Sequence, residues 1–254
     1  MRVYLAGGVT TGNITTDKIE GVLQKLKSAG YSLNVLESFF DIRKRRAMTM
    51  LKYVDNFILD SGAFSFIQSG QQTDWNEYVT KYIDFIREYN VQLYFELDID
   101  KLIGYERVKE IRRRLERETG KRPIPVWHKR LGKEEFLKMC DEYDYVAIGG
   151  VVTKEISKNE YKYFPAFIRE AHKRGAKIHG LGFTDCKYLR YCHFDSVDSS
   201  SWTIGNRYGR IAHFDGKKIQ QTSRPPNTRI VSLPLSIHNL TEWVKFSNYA
   251  ERNL

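Results

Sequence analysis

Short apolar runs alternate along the chain with longer stretches whose apolar residues recur every three or four positions. The runs are RVYLAG, SLNVLESF, NFILDSG, QLYFELDID, PIPVWH, YVAIGG, KIHGLGFT and FDSVDSS. Runs this short and this apolar read as strands buried on both faces. Amphipathic stretches follow them, among them TDKIEGVLQKLKSAG, RKRRAMTMLKYV, DWNEYVTKYIDFIREYN, YERVKEIRRRLERETG and, last, LTEWVKFSNYAERN. In DWNEYVTKYIDFIREYN, Val79, Tyr82, Ile83 and Ile86 fall on one helical face. Gly30, Gly120 and Gly175 end three such stretches where a C-cap glycine belongs. Eight strand–helix pairs at a period of about thirty residues predict a single (β/α)8 TIM barrel spanning residues 1–254. A doubly wound open sheet is the competing arrangement, but AGGVTTG after the first strand lacks the GxGxxG spacing and reads as a loop.

A barrel gathers the C-terminal ends of its strands at one mouth, where chemistry is done. Strand three ends in Asp60, Ser61 and Gly62, strand four in Asp98 and Asp100, and strand five in Trp127 and His128. Strand six ends in Gly149 and Gly150, strand seven in Gly180, Leu181 and Gly182, and strand eight carries Asp195 and Asp198. Carboxylates from three strands suit a divalent metal, glycosidic hydrolysis or glycosyl transfer. Each aspartate alone also suits the cap of the helix that follows it. Glycines at strand ends allow the backbone to approach a flat ligand, and Phe64 could stack on one or simply pack in the core. An aromatic ring, backbone amides and a carboxylate are what an extruded purine needs, since a carboxylate accepts from N1–H and the exocyclic amine of guanine.

Composition changes the picture in one respect. With 41 Lys and Arg against 31 Asp and Glu, the chain carries +10, which points to a polyanionic partner and first to nucleic acid. Three cysteines, none in a CxxC, do not make a disulfide framework. The first residues lack the apolar length of a signal peptide, and no apolar run approaches the ~20 residues of a membrane span. These features predict a cytoplasmic protein with no membrane partner.

LDSGAFSF, AIGGV, HGLGFT and DSVDSSSW, in this order, resemble motifs of the tRNA-guanine transglycosylase superfamily, whose members exchange guanine for a 7-deazaguanine on a (β/α)8 barrel. The resemblance covers residues 57–218, and the interval from Asp198 to Asp215-Gly216 matches the family's spacing from its nucleophile to a downstream Asp-Gly. It implies Asp198, rather than Asp195, as the covalent nucleophile and Asp60 as the general acid/base. Asp98, with Asp100 as the nearby alternative, would read the base edge. Ser61, Phe64 and His128 would line the base pocket, and Gly149 and Gly150 would form its backbone floor. His128 stands where the family usually has a glutamine.

Two departures narrow the resemblance. The family's tRNA enzymes hold zinc after strand eight through CxCxxC and a later histidine, whereas this chain has no cysteine beyond Cys192. The chain is also shorter. Both features are similar to the zinc-free DNA 7-deazaguanine transglycosylases (DpdA-like), some of them phage-encoded, which would place the protein in a host cytoplasm. The expectation is therefore replacement of guanine in DNA by a base such as preQ0, without metal or other cofactor. The same exchange on tRNA and a non-catalytic nucleic-acid-binding barrel are the alternatives. A homodimer or a helper protein is compatible with the sequence. Phosphate contacts are expected from Arg43, Arg45 and Arg46 after strand two, and from Arg207, Arg210, Lys217, Lys218 and Arg224 in a basic insertion after strand eight. Arg112 to Arg114 read instead as a solvated helix face with pairs such as Glu110–Arg114.

Overall fold

The computed structural model describes residues 1–7, 16–42, 50–62, 65–66, 73–224 and 231–254, with residues 16–17 and 204–207 described by their backbone alone. All eight expected strands form. They are β1 (Arg2–Ala6), β2 (Asn34–Ser38), β3 (Asn56–Asp60), β4 (Leu93–Tyr94), β5 (Val126–Trp127), β6 (Tyr145–Ile148), β7 (Lys177–Gly180) and β8 (Ser196–Ser199). They make one parallel sheet in the order β4-β3-β2-β1-β8-β7-β6-β5, with helices between them. This is an α/β sheet with the strand order of a TIM-like fold.

Alternate residues explain the curl of that sheet. Tyr4, Leu36, Ile58, Val126 and Ala147, from five strands, and Phe95, just after β4, pack into one buried cluster on the concave face. Their neighbours in sequence, such as Val3, Val35 and Leu59, point the other way and pack under the helices. The first helix is α1 (Thr16–Ser28), and α2 (Trp75–Glu88) shows the expected face, with Val79, Tyr82, Ile83 and Ile86 buried. Asp74 caps its N-terminus, accepting from the N–H groups of Asn76 and Glu77. Gly30, Gly120 and Gly175 all take positive φ, as helix-ending glycines do.

The first and last strands in this order, β4 and β5, are consecutive in sequence. Among the described residues seven strand pairs form parallel ladders, but β4 and β5 meet through a single bridge, Phe95 opposite Ile124. A side chain supplements it. Buried Glu96 accepts from the Val126 N–H at 2.6 Å and holds Arg112 through two bonds of 2.6 and 3.1 Å. Arg112 comes from α4 (Tyr105–Thr119), which follows the short α3 (Asp100–Ile103). This corrects the expectation of a solvated face at Arg112, because only 4% of the residue is exposed. The expected Glu110–Arg114 pair is also replaced: Glu110 pairs with Arg107, and Arg114 with Glu118.

Helix α5 (Gly132–Glu142) precedes β6, α6 (Phe164–Lys173) precedes β7, and α7 (Cys186–Cys192) precedes β8. After β8 come α8 (Ser201–Tyr208) and an antiparallel hairpin of β9 (Arg210–Phe214) and β10 (Ile219–Ser223). This hairpin is the expected insertion. The final helix α9 (Ser232–Asn253) begins earlier than its apolar pattern suggested, and Asn239 and Glu242 accept from the Ala212 and Phe214 N–H groups of β9. No helix among the described residues is long and apolar enough to cross a membrane.

Candidate active site

Asp60 is the last residue of β3, and its carboxylate accepts from the Gly62 N–H at 3.0 Å. Gly62 has φ +80°, and a Cβ there would lie 2.5 Å from the Phe40 Cβ, so the turn requires glycine. The Tyr78 and Tyr82 hydroxyls brace this strand end by donating to the Ser61 and Leu59 carbonyls. Burial pushes the Asp60 pKa up to about 7 against the pull of the Gly62 N–H, and the nearby charges of Asp198 and Asp98 add to the rise. Asp60 is thus a carboxylic acid able to hold or release a proton near neutrality.

Asp198 lies in β8 opposite Tyr4 of β1 and is 8% exposed. Its Oδ1 accepts from the Gly182 N–H at 2.7 Å and faces His179 Nε2 at 3.2 Å. His179, fully buried, contacts Ser196 Oγ through Nδ1, and Ser196 Oγ is in turn bonded to the Tyr145 hydroxyl. In the tautomer that carries the proton on Nε2, Nδ1 accepts from Ser196 and Ser196 accepts from Tyr145. The chain of donors then runs one way, ending on Asp198 Oδ1. Among the described residues no hydrogen bond is made to Oδ2.

Asp195 is elsewhere. It precedes β8 at the N-terminal edge of the sheet, where it accepts from the Ile178 N–H at 2.7 Å and pairs with His172 at 2.8 Å. The two aspartates of FDSVDSS therefore stand at opposite ends of one strand.

Asp98 follows β4, and His128 follows β5. His128 Nε2 meets Asp98 Oδ1 at 2.7 Å, and Nδ1 lies 3.5 Å from Glu155. Burial disfavours the imidazolium, but the bond to Asp98 outweighs it, and the His128 pKa is raised. Gly149 makes room for this ring, since a Cβ would lie 2.7 Å from His128 Cε1. Gly150, at φ +88°, backs onto Glu155. Asp100 is occupied: Arg130 grips both its oxygens and also bonds Glu155. Asp98, Asp100 and His128 offer atoms within 4.8 Å of one another, close enough for a cation. Arg130, Lys101 and His128 already face the three carboxylates there, so an ion would have to displace Arg130.

The Ser38 and Ser61 hydroxyls and His128 Nδ1 are buried and lack a hydrogen-bond partner among the described residues. All three lie at C-terminal ends of strands, where unsatisfied polar groups mark a place for a ligand or water.

The structure thus brings Asp60, Asp98 and Asp198 to one region, with Ser61, His128, Gly149 and Gly150 around them. Phe64, Arg43, Arg45 and Arg46 lie outside the described residues, as does the Arg207 side chain. Arg210 is exposed at the start of β9. Lys217 and Lys218 sit at the hairpin's turn, beside α7 and the end of α9 rather than among the three aspartates. Sequence reasoning missed His179, Arg130 and Glu155, and placed Gly182 at the mouth without a role. HGLG did place His179 and Gly182 on the strand next to Asp198, and that adjacency was the available signal.

No protein-family model matches this chain, and no curated protein matches it.

Proposed function

We propose that the protein is a base-exchange transglycosylase that replaces guanine in DNA with a 7-deazaguanine such as preQ0. One observation carries the reading: a carboxylic acid poised near pH 7 stands beside a second carboxylate with one oxygen fully held and the other open. This reading takes the curled sheet as a (β/α)8 barrel closed at the β4–β5 bridge. The resemblance of the four motifs to the tRNA-guanine transglycosylases supplies the substrate class. The chain's positive charge fits a nucleic acid, and its lack of a cysteine cluster fits the zinc-free DNA enzymes.

In this mechanism Asp198 Oδ2 attacks C1′ of the target nucleoside. The C1′–N9 bond breaks, a C1′–O bond forms, and Asp60 gives its proton to N9 of the departing guanine. The incoming 7-deazaguanine loses its N9 proton to Asp60 and displaces Asp198. Two inversions retain the configuration at C1′. Asp98 is better suited than Asp100 to read the base, because His128 uses only Oδ1 of Asp98 while Arg130 holds both oxygens of Asp100.

Incubating the protein with preQ0 and either DNA or tRNA, then quantifying nucleosides by mass spectrometry, tests the reading. Exchange in DNA is expected. Exchange in tRNA alone would move the substrate to tRNA, and binding without exchange would leave a non-catalytic binder. Asp198→Asn should bind substrate but form no adduct. Asp98→Ala should keep most affinity, which phosphates supply, and lose discrimination for guanine.

A further inference from the structure

Away from the three aspartates, a cavity of about 690 Å³ opens between α7, the turn of the β9–β10 hairpin and the end of α9. Four cations line it: Lys187 and Arg190 from α7, Lys217 and Lys218 from the turn. Among the described residues none of them forms an ion pair; Lys187 lies over the Tyr188 ring, and Arg190 reaches the Tyr249 hydroxyl at 3.5 Å. The carboxylate side chain in the lining, Asp215, is already saturated. It accepts from the Lys217 and Lys218 N–H groups at 3.0 and 2.9 Å and from Gln220 Nε2 at 2.6 Å. Tyr191, 67% exposed, presents an aromatic ring at the same place.

Four cations facing a single carboxylate side chain around a concavity, beside an exposed ring, match the chemistry of single-stranded nucleic acid: phosphodiesters with an unstacked base. The place is also apt. Thr184, two residues before α7, bonds Ser199 at the end of β8. The seven residues of α7 span only about 10 Å, so the cavity lining from Cys186 to Tyr191 begins one short helix away from the Thr184–Ser199 bond.

We propose that this cavity is a second nucleic-acid site, which holds the strand flanking the target nucleotide as phosphodiester plus one unstacked base. The proposal rests on the transglycosylase reading for its substrate class. Exchange needs the target nucleotide extruded, which leaves its neighbours partly unstacked and in need of a support.

The test is anisotropy binding of a fluorescein-labelled ten-nucleotide oligo-dT between 50 and 200 mM salt. The variants are one with Lys187, Arg190, Lys217 and Lys218 all changed to glutamine, and Tyr191→Leu. All five residues are exposed, and a control variant changes Lys81, Lys109 and Lys138 on other helices. Losing four phosphate contacts should flatten the slope of log K against log salt by about 3. Tyr191→Leu should weaken binding roughly tenfold at unchanged slope, as loss of one stacked base does. An unchanged slope in the quadruple variant, or an equal loss in the control, overturns the proposal. So does binding of pyrophosphate that depends on these residues without any effect on the oligonucleotide. Base exchange is scored separately in the wild type. Exchange with an unchanged slope rejects this site alone, and a flattened slope without exchange rejects the transglycosylase reading alone.

Discussion

At the scale of single residues, the histidine beneath Asp198 helps decide which of its oxygens is left open. His179 and the Gly182 N–H hold Oδ1, and the Ser196–Tyr145 pair holds His179. Within the proposed exchange, His179→Leu frees the carboxylate to rotate. The expected outcome is a fall in kcat of roughly 100-fold with KM within about twofold, since a small misplacement of a reacting group costs on that order. His179→Gln, which keeps a donor, should recover part of the rate. Steady-state kinetics normalised to the folded fraction, read by circular dichroism, separates positioning from loss of fold, which lowers apparent kcat at unchanged KM. Asp60 gives a prediction that needs no substrate. Its pKa is raised from 3.8 to about 7, so folding favours its protonated form. The stability it contributes is full below pH about 4 and is lost as pH rises through about 7. Asp60→Asn stays neutral throughout. Its Tm should exceed that of the wild type at pH 8, and the gain should shrink steadily toward pH 4. A constant difference across that range would mean the Asp60 pKa is not raised.

At the scale of elements, the strands and most helices were legible because a buried parallel strand leaves a continuous apolar run and a helix leaves a period. The three aspartates were legible for a related reason, since parallel strands put the C-terminal end of each run at one rim. What the sequence hid depends on partners distant along the chain. The tract RRR reads as solvated because nothing near it shows that Arg112 will meet Glu96, sixteen residues upstream and just past β4. The hairpin after β8 had a local signal, Asp215-Gly216 between RIAHF and KIQQTS, but it lacks the apolar run that marked the other strands. His179 was hidden because a histidine inside an apolar run gives no sign of what its ring meets. The Glu96–Arg112 pair carries its own prediction. Glu96→Ala strands a buried guanidinium and orphans the Val126 N–H, which should cost about 3–5 kcal/mol. Urea unfolding should show this as a lower midpoint at unchanged slope. Adding Arg112→Met should restore much of it, because the unpaired charge is then gone.

At the scale of the molecule, seven of the strand contacts are ladders and the eighth, between β4 and β5, is a single bridge helped by one carboxylate. The residues that follow these two strands are Asp98 and His128, joined at 2.7 Å. The sheet therefore behaves as a split ring whose clasp, in the proposed exchange, is also the reader of the base. Anything that fastens the clasp tightens the ring, and anything that springs it pulls Asp98 from His128. A free 7-deazaguanine seated on Asp98 should slow amide hydrogen exchange at residues 94–96 and 124–128 more than at the β1–β8 ladder opposite. Uniform protection around the ring would mean the clasp and the pocket are not coupled. Coupling would make recognition of the base and closure of the fold a single event, so that a wrong base is refused by a ring that does not shut.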